Sequence, residues 1–129
     1  MSGNTKIAIV EDDSVIRQMY RIKFENEGFE VQVADNGHDG VALVARMKPD
    51  VILLDLHMPE MNGVEALGEI RKTSTGKHIP VIILTNVGEE ESPKSLRALG
   101  IHSYIVKADF TPRQVVARVK TALENPQPA

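Results

Sequence analysis

A chain of 129 residues fits one folded domain and leaves no room for a second. Its formal charge of −3, sequence pI of 5.8 and scattered basic residues make no electrostatic case for nucleic acid or an anionic membrane as partner. Cysteine is absent, which excludes disulfides and thiolate metal sites, and the polar opening Met-Ser-Gly-Asn-Thr-Lys holds no apolar stretch of signal-peptide or membrane-spanning length, so a soluble cytoplasmic protein is expected.

Strand-like and helix-like segments alternate along the chain. Ile7-Ala8-Ile9-Val10 is a short apolar run ended by Glu11-Asp12-Asp13. Val15, Ile16, Met19, Tyr20 and Phe24 then recur at helical spacing. Asp13 or Ser14 suits the cap of that helix, and Gly28 its stop, since glycine tolerates the left-handed conformation at a helix end. Phe29 to Ala34 reads as a second strand. An Asn36-Gly37 turn leads to a short helix over Val41 to Met47, ending before Pro49. Val51 to Leu54 is an unbroken β-favouring run that suits a strand covered on both faces. Pro59 and the Asn62-Gly63 pair predict a turn before a third helix over Val64 to Thr73, with Leu67 and Ile70 facing inward and Ser74-Thr75-Gly76 breaking it.

Pro80 opens a fourth buried run, Val81 to Leu84, which stops at Thr85. Glu89, Glu90 and Glu91 crowd the start of a weak helix anchored by Leu96 and Leu99, where negative charge complements unpaired amides. Ser103 to Val106 forms a fifth strand ending at Lys107. Thr111-Pro112-Arg113-Gln114 has the form of a capping box with proline at the first helical position, and the helix it opens is carried by Val115, Val116, Val119 and Leu123. Residues 125–129 read as a frayed tail, which leaves a single domain with its core over residues 5–124. Five strand-then-helix units predict an α/β fold, a doubly wound five-stranded parallel sheet with helices on both faces, because right-handed crossovers place them there.

The polar residues that end these strands converge. Glu11 and Asp12 follow strand one, Asp55 strand three, Thr85 strand four and Lys107 strand five, all at the carboxyl rim where open α/β sheets hold their ligands. Gathered carboxylates repel by about 4 kcal/mol per unit pair at about 4 Å and an intermediate dielectric. A hard divalent cation offsets this, and magnesium suits few protein ligands better than calcium. With Lys107 and the Thr85 hydroxyl nearby, the set suits transfer of a phosphoryl group onto Asp55, where positioning and charge stabilisation do most of the catalysis.

On these residues the sequence resembles the response-regulator receiver domain of bacterial two-component signalling. The acidic Glu11-Asp12 pair, Asp55 in Asp-x-x-Met-Pro-x-Met-Asn-Gly, Thr85, Tyr104 and Lys107 agree with it in type and spacing over almost the whole chain. The resemblance implies the flavodoxin-like strand order 2-1-3-4-5. It further implies that Asp55 accepts a phosphoryl group from a phosphohistidine on a histidine kinase or phosphotransfer protein. Magnesium would be bound by Asp12, Asp55 and the backbone carbonyl of His57, with Glu11 acting through water. Lys107 would pair with the phosphoryl group, Thr85 would move inward to it, and Tyr104 would swing from an exposed to a buried rotamer. An unidentified downstream protein would bind the face of the fourth helix, fifth strand and fifth helix, where Lys94, Arg97, His102, Tyr104 and Arg113 are candidates, and the protein would be a monomer or weak dimer.

Ala108 follows Lys107 where the family commonly has proline, so the loop there is expected to differ, and Asn86 follows Thr85 where a small residue is usual. His57 and Val87 stand where the family tunes the lifetime of the acyl phosphate. The side chains of His38, His57, His78 and His102 are read as facing solvent. Since the chain ends after the last helix, a stand-alone receiver is expected, acting on itself and on no external substrate. Two alternatives are a receiver fold that binds partners without phosphorylation and a phosphoester hydrolase of the haloacid-dehalogenase kind. The latter wants a second aspartate two residues after the nucleophile, where His57 stands.

Overall fold

A computed structural model describes residues 4–125. Its elements in chain order are β1 (Lys6–Val10), α1 (Ser14–Asn26), β2 (Glu30–Ala34), α2 (Gly37–Met47), β3 (Val51–Leu54), α3 (Gly63–Arg71), β4 (Val81–Thr85), α4 (Ser95–Ala98), β5 (Ser103–Val106) and α5 (Pro112–Glu124). The five strands form one parallel sheet in the order β2-β1-β3-β4-β5, as the resemblance implied. Of the expected tail, residues 126–129 lie outside the described residues.

The unbroken apolar runs are the central strands. Every residue of β3 and β4 is buried, and side-chain alternation divides them between two cores. Ala8, Val10, Ile52, Leu54, Val81 and Ile83 pack with α2, α3 and Leu96 of α4. Ile7, Ile9, Val51, Leu53, Ile82, Leu84 and Ile105 pack with α1 and α5 on the opposite face. The edge strand β2 alternates exposed and half-buried residues up to Ala34, as suits a strand with one free side.

Helix boundaries follow local capping chemistry, and here several expectations need correction. Asp13 is the cap of α1, its carboxylate accepting from the amides of Val15 and Ile16. Gly28 follows the end of that helix with φ +92°. Asn36-Gly37 is not a free turn: Asn36 caps α2, which begins at Gly37, four residues before Val41. Asn62 likewise caps α3 in a capping box with Glu65, so Gly63 is already helical, and α3 ends at Arg71, before Thr73. The single weak helix expected after β4 is broken. A 3-10 turn over Glu89–Glu91 is followed by an extended Ser92, and only Ser95–Ala98 is α-helical. Pro93 has no amide to donate and disfavours helical geometry in the residue before it, which separates the two pieces.

On α1 the apolar residues do not all face inward. Tyr20 and Phe24 are buried, whereas Val15 is 77% and Met19 40% exposed, and Ile22 is 48% exposed. Arg71, at the end of α3, reaches across to the end of α4. Its guanidinium donates to the carbonyls of Leu99 (2.9 Å), Gly76 (2.8 Å), Ile79 (2.7 Å) and Gly100 (2.6 Å). Burial pushes the guanidinium pKa down, and four carbonyl acceptors satisfy four of its five donors. His102 is half-buried rather than fully solvent-facing, with Nδ1 2.8 Å from the Ser103 hydroxyl and Nε2 2.9 Å from the Asn125 carbonyl oxygen. His38, His57 and His78 are exposed.

Candidate functional site

The register of β1, β3 and β4 sets the ends of three buried strands side by side, with Val10 beside Leu54 and Leu54 beside Ile83. The residues that follow therefore share one rim. Asp55 stays in the ladder through its amide, which donates to the Val10 carbonyl at 3.0 Å. The chain then loops back on itself, and the Gly63 amide donates to the Leu56 carbonyl at 2.8 Å. A Cβ on Gly63 would run into the Asp55 carbonyl oxygen, so glycine is what lets α3 start this close to the strand end. Asp55 is thus clamped from both sides.

Glu11, Asp12, Asp55, His57, Thr85 and Lys107 line one open pocket of about 270 Å³, joined by Asp13, Ile16 and Asn86. Every residue expected at the rim is there. Tyr104 is not among the lining residues and lies on β5, behind the loop that follows Thr85.

Charge in the pocket is balanced unevenly. Asp55 and Glu11 are 5% and 3% exposed, while Asp12 is exposed. The Lys107 ammonium lies 2.8 Å from Glu11 Oε1 and 3.6 Å from Asp55 Oδ2, so the nearer partner is Glu11. The other Glu11 oxygen accepts from the Asp13 amide at 3.1 Å. Burial nevertheless pushes the Glu11 pKa up to about 7; the Lys107 bond opposes this and the Asp55 charge adds to it. The Lys107–Ala108 peptide is trans, as are all peptides among the described residues, and Lys107–Asp109 forms a 3-10 turn that carries the ammonium back over the rim.

One carboxylate oxygen from each of Glu11, Asp12 and Asp55 lies within 4.8 Å of the others. Two oxygens on opposite sides of one magnesium ion stand about 4.2 Å apart, and a water between ligand and ion extends that reach. The donor set is all oxygen, as a hard cation requires, and fits it.

Thr85 is fully buried, its hydroxyl accepting from the Val87 amide at 3.4 Å. Tyr104 is half-buried rather than swung out, its hydroxyl donating to the Val87 carbonyl at 2.7 Å, and burial raises its pKa. Val87 therefore bonds to both residues expected to switch. A residue that the sequence did not single out also belongs to this end of the molecule. Arg17, from α1, donates to the main-chain carbonyls of Glu11 and Asp12. An arginine five positions beyond the acidic pair was the available signal, and it is one that any exposed helix could show.

A doubly wound α/β protein with an aspartate, two further acids and a lysine at the carboxyl rim is the class that fold and site define. The chain belongs to the response regulator receiver domain family, whose model matches residues 7–120. It is 39% identical over 122 residues to the transcriptional regulatory protein ResD of Bacillus subtilis, covering 95% of this chain and 49% of that protein. It is 37% identical over 128 residues to the phosphate regulon transcriptional regulatory protein PhoB of Pseudomonas aeruginosa, covering 99% and 55%. The chain thus spans about half the length of these relatives. The solved structure of the Vibrio cholerae chemotaxis protein CheY4 superposes with a TM-score of 0.85 at 29% identity, covering 92% of this chain and 98% of that one. No helix among the described residues is long and apolar enough to cross a membrane.

Proposed function

We propose that Asp55 is the phosphoacceptor of this receiver domain, taking a phosphoryl group from a phosphohistidine on a histidine kinase or phosphotransfer protein in the presence of magnesium. The observation that carries this reading is the meeting of Asp55 with Glu11, Asp12, Thr85 and Lys107 in one open pocket. In the transfer an Asp55 oxygen attacks phosphorus, the bond from phosphorus to the imidazole nitrogen breaks, and the departing imidazole keeps the electron pair and takes up a proton. Asp12, Asp55 and the His57 carbonyl would hold the ion directly, with Glu11 acting through water. Bound there, magnesium supplies charge neutralisation at the phosphoryl oxygens.

This chain's own residues do the rest. The strand-end clamp fixes the Asp55 carboxylate, and the Lys107 ammonium stands close enough to pair with an incoming oxygen. A phosphoryl group adds nearly two negative charges and three acceptor oxygens. Drawn toward it, the Thr85 hydroxyl leaves the Val87 amide, and the loop beyond Thr85 moves with it. Tyr104 is tied to the same loop through the Val87 carbonyl, so the event at Asp55 reaches the face formed by α4, β5 and α5, where a downstream protein would bind. Turnover of external phosphoesters is not part of the proposal.

Incubation with magnesium and acetyl phosphate should add one phosphoryl mass to the intact protein, and Asp55→Asn should add none. Labelling that persists in the variant would defeat the assignment. Omitting magnesium, or substituting Asp12→Asn, should slow labelling by at least about tenfold.

A further inference from the structure

The Asp12 carboxylate makes no hydrogen bond among the described residues, so what the fold fixes of its position is the backbone that carries it. That backbone is the turn between β1 and α1, and Arg17 holds it. The Arg17 side chain curls back along α1, and Nη1 donates to the Glu11 carbonyl at 2.9 Å and to the Asp12 carbonyl at 3.2 Å. Its own amide donates to the Asp13 carbonyl at 2.9 Å. Three successive carbonyls of the acidic turn are therefore bonded to one residue.

Arg17 does not line the acidic pocket. It lines the neighbouring groove with Asp35, Asp39 and Arg46, so whatever it does for the pocket it does through the turn. From the pocket side the same turn is held by its side chains, Glu11 on Lys107 and on the Asp13 amide. We propose that Arg17 is a positioning residue for the cation, keeping the Glu11 and Asp12 carbonyls turned toward α1 so that the Asp12 carboxylate stays aimed at Asp55. This inference rests on the reading of the pocket as a magnesium site.

The donor is suited to the task. Its fork of N–H donors bonds to carbonyls that no amide of the turn reaches. Removing it releases the Glu11 and Asp12 carbonyls, and magnesium must then bear part of the cost of ordering Asp12. Groups that orient metal ligands typically change affinity about 10- to 100-fold when lost.

The test is a titration of the ¹⁵N-labelled protein with MgCl₂, following the backbone amides of Asp12, Asp55 and His57. Arg17→Met keeps the apolar stem and loses the donors. It should weaken magnesium binding by about tenfold, and Arg17→Lys, whose ammonium offers donors to the same two carbonyls, should recover most of that loss. A purely structural role would lower the melting temperature and leave the affinity of the folded protein unchanged. Affinity of Arg17→Met within threefold of wild type overturns the proposal. If that variant does not fold, Arg17→Gln is judged by the same criterion. Absence of any magnesium response at these amides in the wild type would instead overturn the metal site itself.

Discussion

The carboxyl end of β4 stands between two regions built on opposite terms. Toward β1 and β3 the rim is fixed from every side: Asp55 continues a strand with no exposed residue, Gly63 brings α3 against it, and Lys107 bridges to Glu11. Past Thr85 the chain passes through a 3-10 turn with no buried residue and then a four-residue helix in which Leu96 alone is buried. The proposed chemistry lies where packing permits little movement, and the expected readout where few buried contacts resist it. Segments of that kind open at low free energy, which a switch requires.

Paired core truncations test this contrast most severely. Ile83→Ala empties a fully buried site between the sheet and the α2–α3 layer and should cost about 2–5 kcal/mol in equilibrium denaturation. Leu96→Ala, although the residue is only 1% exposed, should cost less, since a four-residue helix relaxes into the space. Equal costs would erase the distinction between the regions.

Next in size is a pH effect confined to the rigid rim. Glu11 has its pKa raised from 4.5 to about 7 by burial, so above pH 4.5 the unfolded chain holds fewer protons at this group than the folded one. Stability of the metal-free protein should therefore fall as pH rises from 4.5 to about 7, by at most ~1.4 kcal/mol per pH unit from this group. Glu11→Gln should remove that part of the slope when denaturation is compared across the window with a chelator present. An unchanged slope would mean that Lys107 neutralises Glu11 more fully than its burial opposes.

Tyr104→Phe removes the bond to the Val87 carbonyl and should cost about 1 kcal/mol. The effect should appear as faster amide exchange in residues 86–92, with the acidic turn unaffected. Smallest of all, Met19→Gln and Ile22→Gln should each stay within about 0.5 kcal/mol of wild type, because both residues sit on the exposed side of α1. A larger loss would show that this stripe is covered in solution.

Legibility in the sequence varied with the range of the interaction. The strands were readable because Val51 to Leu54 and Val81 to Leu84 are apolar without interruption, which only a doubly covered strand tolerates. The Thr111 capping box was readable because all its partners lie within four residues. At Asn36 and Asn62 the helices begin earlier than the turn signal suggests, since Asn-Gly marks a turn and a helix start equally well, and the choice depends on what the helix packs against. On α1, Val15 and Met19 share helical spacing with Tyr20 and Phe24, yet a helix carries more apolar positions than the sheet can cover. The site residues were legible by type and by strand end. That Lys107 pairs more closely with Glu11 than with Asp55, and that Tyr104 is tied to Val87, was not.

What the amino-acid sequence determined by itself was the alternation of buried strands and amphipathic helices, and with it the rule that polar residues ending those strands share one edge. Tertiary structure alone decided which of those residues touch, because side chains from positions as far apart as Glu11 and Lys107 meet only after the crossovers have set the strand order. Local periodicity acts over a few residues, whereas charge pairing is settled by angstroms between distant strands.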